Sequence, residues 1–90
     1  MFYTYVLYSL KTKKLYTGYT EDLKRRITEH NKGNGGYFSK RNKPFVLIFY
    51  EAFLSKSDAL KQEKFYKSGY GREVLIEKIA DSINNINTTK

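Results

Sequence analysis

"FYTYVLYSLKTKKLYTGY", residues 2–19, decides the fold. Residues 2–10 are rich in Tyr and Val, apolar on both faces and short for a helix, so they predict a buried strand. "KTKK" (11–14) is a polar turn, and "LYTGY" (15–19) predicts a second strand. Two such runs around a short polar turn predict a hairpin.

The elements beyond the hairpin follow from caps and periodicity. Thr20 offers a helix cap, with Glu21 and Asp22 placing acid in the first turn, where the dipole favours it. Leu23 and Ile27 mark the buried stripe of this helix, which should run to about Asn31. "NKGNGGYFSKRNKP" (31–44) predicts a loop by its glycines, asparagines and single proline. "FVLIFYEAF" (45–53) is continuously apolar and predicts the central strand of the sheet. "SKSD" (55–58) is a capping box for a helix running to about Ser68, with Gly69 as its C-terminal cap.

Val74, Leu75, Ile79 and Ile83, joined by Ile76, give a last helix its amphipathic stripe. Residues 84–90 are polar and predict a flexible, frayed tail on a single domain spanning 1–83. The order β-β-α-β-α-α predicts a small α/β sandwich: a three-stranded, mainly antiparallel sheet flanked by helices.

Bulk properties narrow the function. A chain of 90 residues suggests one domain with a modest core. The absence of Cys excludes disulfides and thiolate zinc sites. No apolar run approaches a membrane span, and the N-terminus reads as a strand rather than a signal peptide, so a cytoplasmic location is expected. Lys plus Arg number 17 against 9 Asp plus Glu, and the net charge of +8 points towards a polyanion partner.

Three features stand apart from packing. Arg26 and His30 lie four apart, so they share a helix face at the edge of the core, as a functional pair or as a solvated basic flank. Glu63 falls on the same helical face as Ala59, Leu60 and Tyr66; a carboxylate there must be salt-bridged or bind a metal. Nine tyrosines is a high count, and five of them (Tyr3, Tyr5, Tyr8, Tyr16, Tyr19) crowd the hairpin, where Tyr5 and Tyr16 can lie side by side.

Together these residues resemble the GIY-YIG nuclease family, most closely its minimal single-domain bacterial members of the UPF0213 type. The two strand motifs of the family stand here as Tyr3-Thr4-Tyr5 and Tyr16-Thr17-Gly18, with Arg26 and His30 on the following helix and Glu63 on a later one. The resemblance covers about residues 2–80. Arg26 rather than Arg25 takes the family position, eight residues after Gly18 and four before His30.

The resemblance implies metal-assisted hydrolysis of a DNA phosphodiester, in repair or recombination. Glu63 is then the metal ligand, for Mg²⁺ or Mn²⁺. Arg26 stabilises the charge growing on the phosphate. Tyr5, beside Tyr16, is the general base, its pKa lowered by Arg26, the metal and a hydrogen bond from His30. Gly18 serves a close backbone approach or an unusual dihedral. Lys24 and Arg25 would rim the site, and Lys40, Arg41 and Lys43, beside Tyr37 and Phe38, would track duplex, single-stranded or branched DNA. The alternative is a non-cleaving nucleic-acid-binding module, or a subunit that needs a partner protein; a homodimer is also open.

Overall fold

A computed structural model describes residues 1–88. The chain runs β1 (Phe2–Ser9), β2 (Leu15–Thr20), α1 (Leu23–Asn31), α2 (Tyr37–Asn42), β3 (Phe45–Phe53), α3 (Lys56–Lys67), α4 (Gly69–Lys78) and α5 (Ala80–Thr88). The three strands form one antiparallel sheet in the order β2-β1-β3, with helices on both faces.

The central strand is β1, not β3. Residues 4–9 of β1 are all buried, whereas β3 is half-buried along most of its length. The run of apolar residues in β3 has another cause. A bulge between Val6 and Leu7 sets Phe49 opposite Val6 and Leu47 opposite Leu7, so Ile48 joins Phe49 on one face. An edge strand that feeds two cores reads as continuously apolar even though only one of its edges is paired.

The two faces have separate cores. On one, Val6 packs with Tyr66 of α3 and with Leu75 and Ile79 at α4, while Ile83 of α5 closes over them. Thr4 Oγ1 donates to the Ala59 carbonyl at 2.6 Å, and the Tyr66 hydroxyl donates to Glu51 at 2.8 Å, so the polar groups on this face have partners. On the other face Tyr5, Leu7 and Phe45 pack with Tyr16, Leu23, Ile27 and Phe38.

Local chemistry explains where the elements depart from the periodicity. Asp22, not Thr20, caps α1: its carboxylate accepts from the Arg25 amide at 3.1 Å, and Thr20 is instead the last residue of β2. Glu21 and Asp22 therefore precede the first turn. Ser55 caps α3 as expected. Gly69 is not a C-terminal cap. Ser68 ends α3 by donating to the Phe65 carbonyl at 2.6 Å and starts α4 by accepting from the Gly71 amide at 3.1 Å. The apolar stripe of the last helix is split at Ile79 into α4 and α5, and Ile76, expected on it, is exposed.

The stretch expected to fray is helical to Thr88, and the Tyr8 hydroxyl donates to Asn87 at 3.1 Å. The rest of the expected tail, 89–90, lies outside the described residues. No helix among the described residues is long and apolar enough to cross a membrane.

The loop between α1 and β3 contains α2, which periodicity missed because it has only six residues. Both ends of this segment are pinned. The Asn31 side chain accepts from the Phe45 amide at 2.6 Å and donates to its carbonyl at 3.2 Å, imitating a neighbouring strand. The buried Ser9 hydroxyl donates to the Asn42 carbonyl at 2.5 Å and accepts from the hairpin-turn amides of Lys11 and Thr12.

Leu75 lies at the centre of the helical core. Leu75→Ala should lower unfolding free energy by about 2–5 kcal/mol in urea titration. A loss below about 1 kcal/mol would mean that α4 does not dock as described.

Candidate active site

The site is built around one phenol. Tyr5 pairs with Gly18 across the hairpin, and its hydroxyl lies over that glycine. A Cβ at position 18 would stand 2.5 Å from the phenolic oxygen. Gly18 has no left-handed dihedral, so close approach by Tyr5 is what requires glycine.

Helix α1 supplies two partners from successive turns. Arg26 Nε donates to the Tyr5 oxygen at 3.3 Å, and His30 Nε2 stands 3.0 Å from it. Tyr16 faces Leu7 in register, which makes it a diagonal neighbour of Tyr5, with ring centroids 6.3 Å apart. Its ring also lies 4.8 Å from that of His30. The sheet and α1 thus bring together Tyr5, Tyr16, Gly18, Arg26 and His30, with Arg25 directed away to Asp22 and Glu29.

Burial dominates the electrostatics. It pushes the Tyr5 phenol up to about 12, with Tyr16 and Glu63 acting the same way. The hydrogen bond and charge of Arg26 act in the expected lowering direction and are outweighed by burial. His30, with no exposed surface, is pulled down to about 4 by burial and then by the Arg26 charge. Its imidazole is neutral at pH 7. Burial alone would lower the Arg26 pKa, but hydrogen bonds to Glu29 and Tyr5 raise it, so the guanidinium stays charged.

Residues that periodicity could not single out complete the surroundings. Glu29 accepts from Arg26 Nη1 at 3.0 Å and from Arg25 Nη1 at 3.1 Å, bridging the two arginines. Arg26 and Glu29 also line an open cleft with Tyr19, Thr20, Glu21 and Arg25. Ser39 of α2, fully buried, places its hydroxyl against His30 Nδ1. The i,i+3 spacing of Arg26 and Glu29 was a usable signal for that pair; nothing local marked Ser39.

Glu63 approaches from α3. Ala59 and Tyr66 are buried as expected, but Leu60 is exposed, so the inward stripe is narrower than periodicity suggested. The Glu63 side chain is 21% exposed and forms an ion pair with Lys67 at 2.8 Å. It is near enough to Tyr5 for its charge to act there. Among the described residues no group of three or more His, Cys, Asp or Glu could hold a metal ion. A single carboxylate, held by a surface lysine that can swing away, fits a hard divalent cation that keeps most of its water.

The basic residues Lys24, Arg25, Lys40, Arg41 and Lys43 are all exposed. Arg41 donates to the Tyr37 hydroxyl at 2.8 Å, and its guanidinium lies 5.5 Å from the centroid of that ring. The buried side of α2 meanwhile rests Phe38 on Tyr16, centroids 5.4 Å apart. A cationic surface is therefore joined to the phenol site through one short helix.

Sequence comparison gives the family of the chain that carries this site. The profile of the GIY-YIG catalytic domain matches residues 1–77, and the chain belongs to the GIY-YIG family. A UPF0213 protein of Pediococcus acidilactici is 40% identical over 76 residues, covering 82% of this chain and 76% of the relative. A UPF0213 protein of Streptococcus pyogenes serotype M5 (strain Manfredo) is 41% identical over 78 residues, 87% of this chain and 84% of its own. The solution NMR structure of a Bacillus halodurans UPF0213 protein superposes with a TM-score of 0.57 at 34% identity, covering 100% of this chain and 99% of that one.

The lowered His30 pKa makes stability depend on pH. Below pH 6.5 the unfolded chain takes up a proton that the folded chain resists down to about 4. This contribution is intact above pH 6.5 and is lost as pH falls towards 4, by up to about 3 kcal/mol. Urea unfolding across that range should show the loss, and His30→Gln should flatten the slope. An unchanged slope in the variant would place the titration elsewhere.

Proposed function

We propose that the protein is a divalent-metal-dependent DNA endonuclease acting in DNA repair or recombination. The observation that carries this is the Tyr5 hydroxyl held between Arg26 Nε and His30 Nε2, with Arg26 also lining the open cleft.

The chemistry divides among these residues. Mg²⁺ or Mn²⁺ held by Glu63 would neutralise phosphate charge and favour the phenolate of Tyr5. Arg26 uses Nε on Tyr5 and Nη1 on Glu29, and the remaining N–H groups of its fork are offered to a phosphate oxygen. Tyr5 first gives up its own proton to solvent and then accepts one from the attacking water. The hydroxide forms a new P–O bond as the opposite P–O bond breaks. The leaving oxygen takes a proton from solvent, so the products are a phosphate monoester and an alcohol.

With Tyr5 at about 12, only about one molecule in 10⁵ carries the phenolate at pH 7 before substrate arrives. Arming the base therefore depends on positive charge delivered on binding. Lys24, Arg25, Lys40, Arg41 and Lys43 supply the phosphate contacts that hold the strand.

Purified protein should nick supercoiled plasmid or cut a branched oligonucleotide with Mg²⁺ or Mn²⁺, and not with chelator. Arg26→Ala, Glu63→Ala and Tyr5→Phe should each lose about 100-fold or more. Full cleavage by Tyr5→Phe would remove Tyr5 as the base. Salt-sensitive binding without cutting would replace this reading with a non-cleaving binder or a partner-dependent subunit.

A further inference from the structure

The chain has a single histidine, and the structure holds it between two hydroxyls. Tyr5 stands at Nε2 and Ser39 at Nδ1. Ser39 comes from α2, which supplies no group to the bond-breaking steps above, and has no exposed surface. The chain enters α2 so closely that a Cβ at Gly35 would collide with His30 Nδ1 and Ser39 Oγ. Among the described residues, no buried side-chain nitrogen or oxygen lacks a partner.

Counting protons separates two arrangements. A neutral imidazole has one N–H, and the hydroxyls of Ser39 and Tyr5 have one O–H each. In the first arrangement Ser39 donates to Nδ1, and Nε2–H donates to the Tyr5 oxygen. Arg26 Nε–H donates to that same oxygen, and the phenolic proton is left free to depart. In the second, Tyr5 donates to Nε2 and Nδ1–H points at Ser39. The buried serine proton then faces a nitrogen that already carries one, and the phenolic proton is tied to the ring. The first arrangement pairs the fully enclosed serine proton and leaves unpaired only the phenolic one, on the oxygen next to Arg26, which lines the open cleft.

We propose that Ser39 sets the tautomer of His30, holding the ring proton on Nε2 so that His30 and Arg26 both donate to the Tyr5 oxygen. Which nitrogen of an imidazole carries the proton is decided by the partner of the other nitrogen. Two donors on a phenolic oxygen favour its charged form. Ser39 is thus a positioning residue: it touches neither substrate nor the reacting oxygen and acts through His30.

The ionisable groups around the ring are Tyr5 on β1, Tyr16 on β2, and Arg26 and Glu29 on α1. The α2 and β3 sides present Ser39 and Phe45. No other hydroxyl is placed at Nδ1 among these. The catalytic consequence rests on the nuclease reading, whereas the tautomer itself does not.

The test is long-range proton–nitrogen NMR on protein labelled with ¹⁵N-histidine, where one residue gives one pattern. The expected result near neutral pH is a single Nε2-protonated ring. Ser39→Ala should shift the ring towards the Nδ1-protonated form, and Ser39→Thr, which keeps the hydroxyl, should restore the wild-type pattern. In cleavage, Ser39→Ala should lose about 10–100-fold, the order seen for hydrogen-bond partners behind metal-ligating imidazoles. The rising limb of its pH–rate profile should move to higher pH, and Ser39→Thr should recover both.

A wild-type ring protonated at Nδ1 overturns the proposal, as does an Nε2-protonated ring that persists in a folded Ser39→Ala variant. If Ser39→Ala does not fold, the wild-type and Ser39→Thr spectra still decide. A protein that shows the expected tautomers but never cuts supports this inference and fails the nuclease reading alone.

Discussion

Strand β1 is paired along both edges and covered on both faces, so residues 4 to 9 are almost wholly shielded from water. A strand in that position must find a partner for every polar atom it carries. Thr4 finds the Ala59 carbonyl, Tyr8 finds Asn87 and Ser9 finds Asn42. Tyr5 finds Arg26 and His30. The candidate site is thus one instance of a rule that the whole strand obeys, and its distinction lies in the chemistry of the partners rather than in the burial.

That burial has opposing effects on the two titrating groups. It keeps His30 neutral and therefore able to donate and accept, and it holds Tyr5 in its protonated form. Arg26 adds to the first effect and works against the second. The phenol is therefore held in its neutral form in the resting molecule.

Much of the architecture was legible in the sequence, because periodicity and caps report on single elements. The hairpin, α1, β3 and the Ser55 cap of α3 are local features. The sheet order was not legible: apolarity of "FVLIFYEAF" measures how many cores a strand feeds, not how many strands flank it. Thr20 lost its cap to Asp22 because the β2 ladder extends one residue further than the alternation suggested. Family motifs located Tyr5, Tyr16, Arg26 and His30. The direction of the Tyr5 shift was hidden, since desolvation depends on how Tyr16, Phe38 and Phe45 close around the ring of His30 and the phenol. Ser39 was hidden for the same reason, lying nine residues from its partner on an unrecognised helix.

The pinning of the α1–β3 segment has a consequence for how such a chain can vary. Asn31 fixes one end to the sheet, and Ser9 and Thr12 grip Asn42 near the other. Chain length added between residues 32 and 34, ahead of the close approach at Gly35, would enlarge a closed loop, whose closure cost grows only slowly with size. Neither anchor would have to move. The segment can in this sense lengthen at its start while Ser39 and the strand and helix that carry the phenol and the imidazole keep their positions.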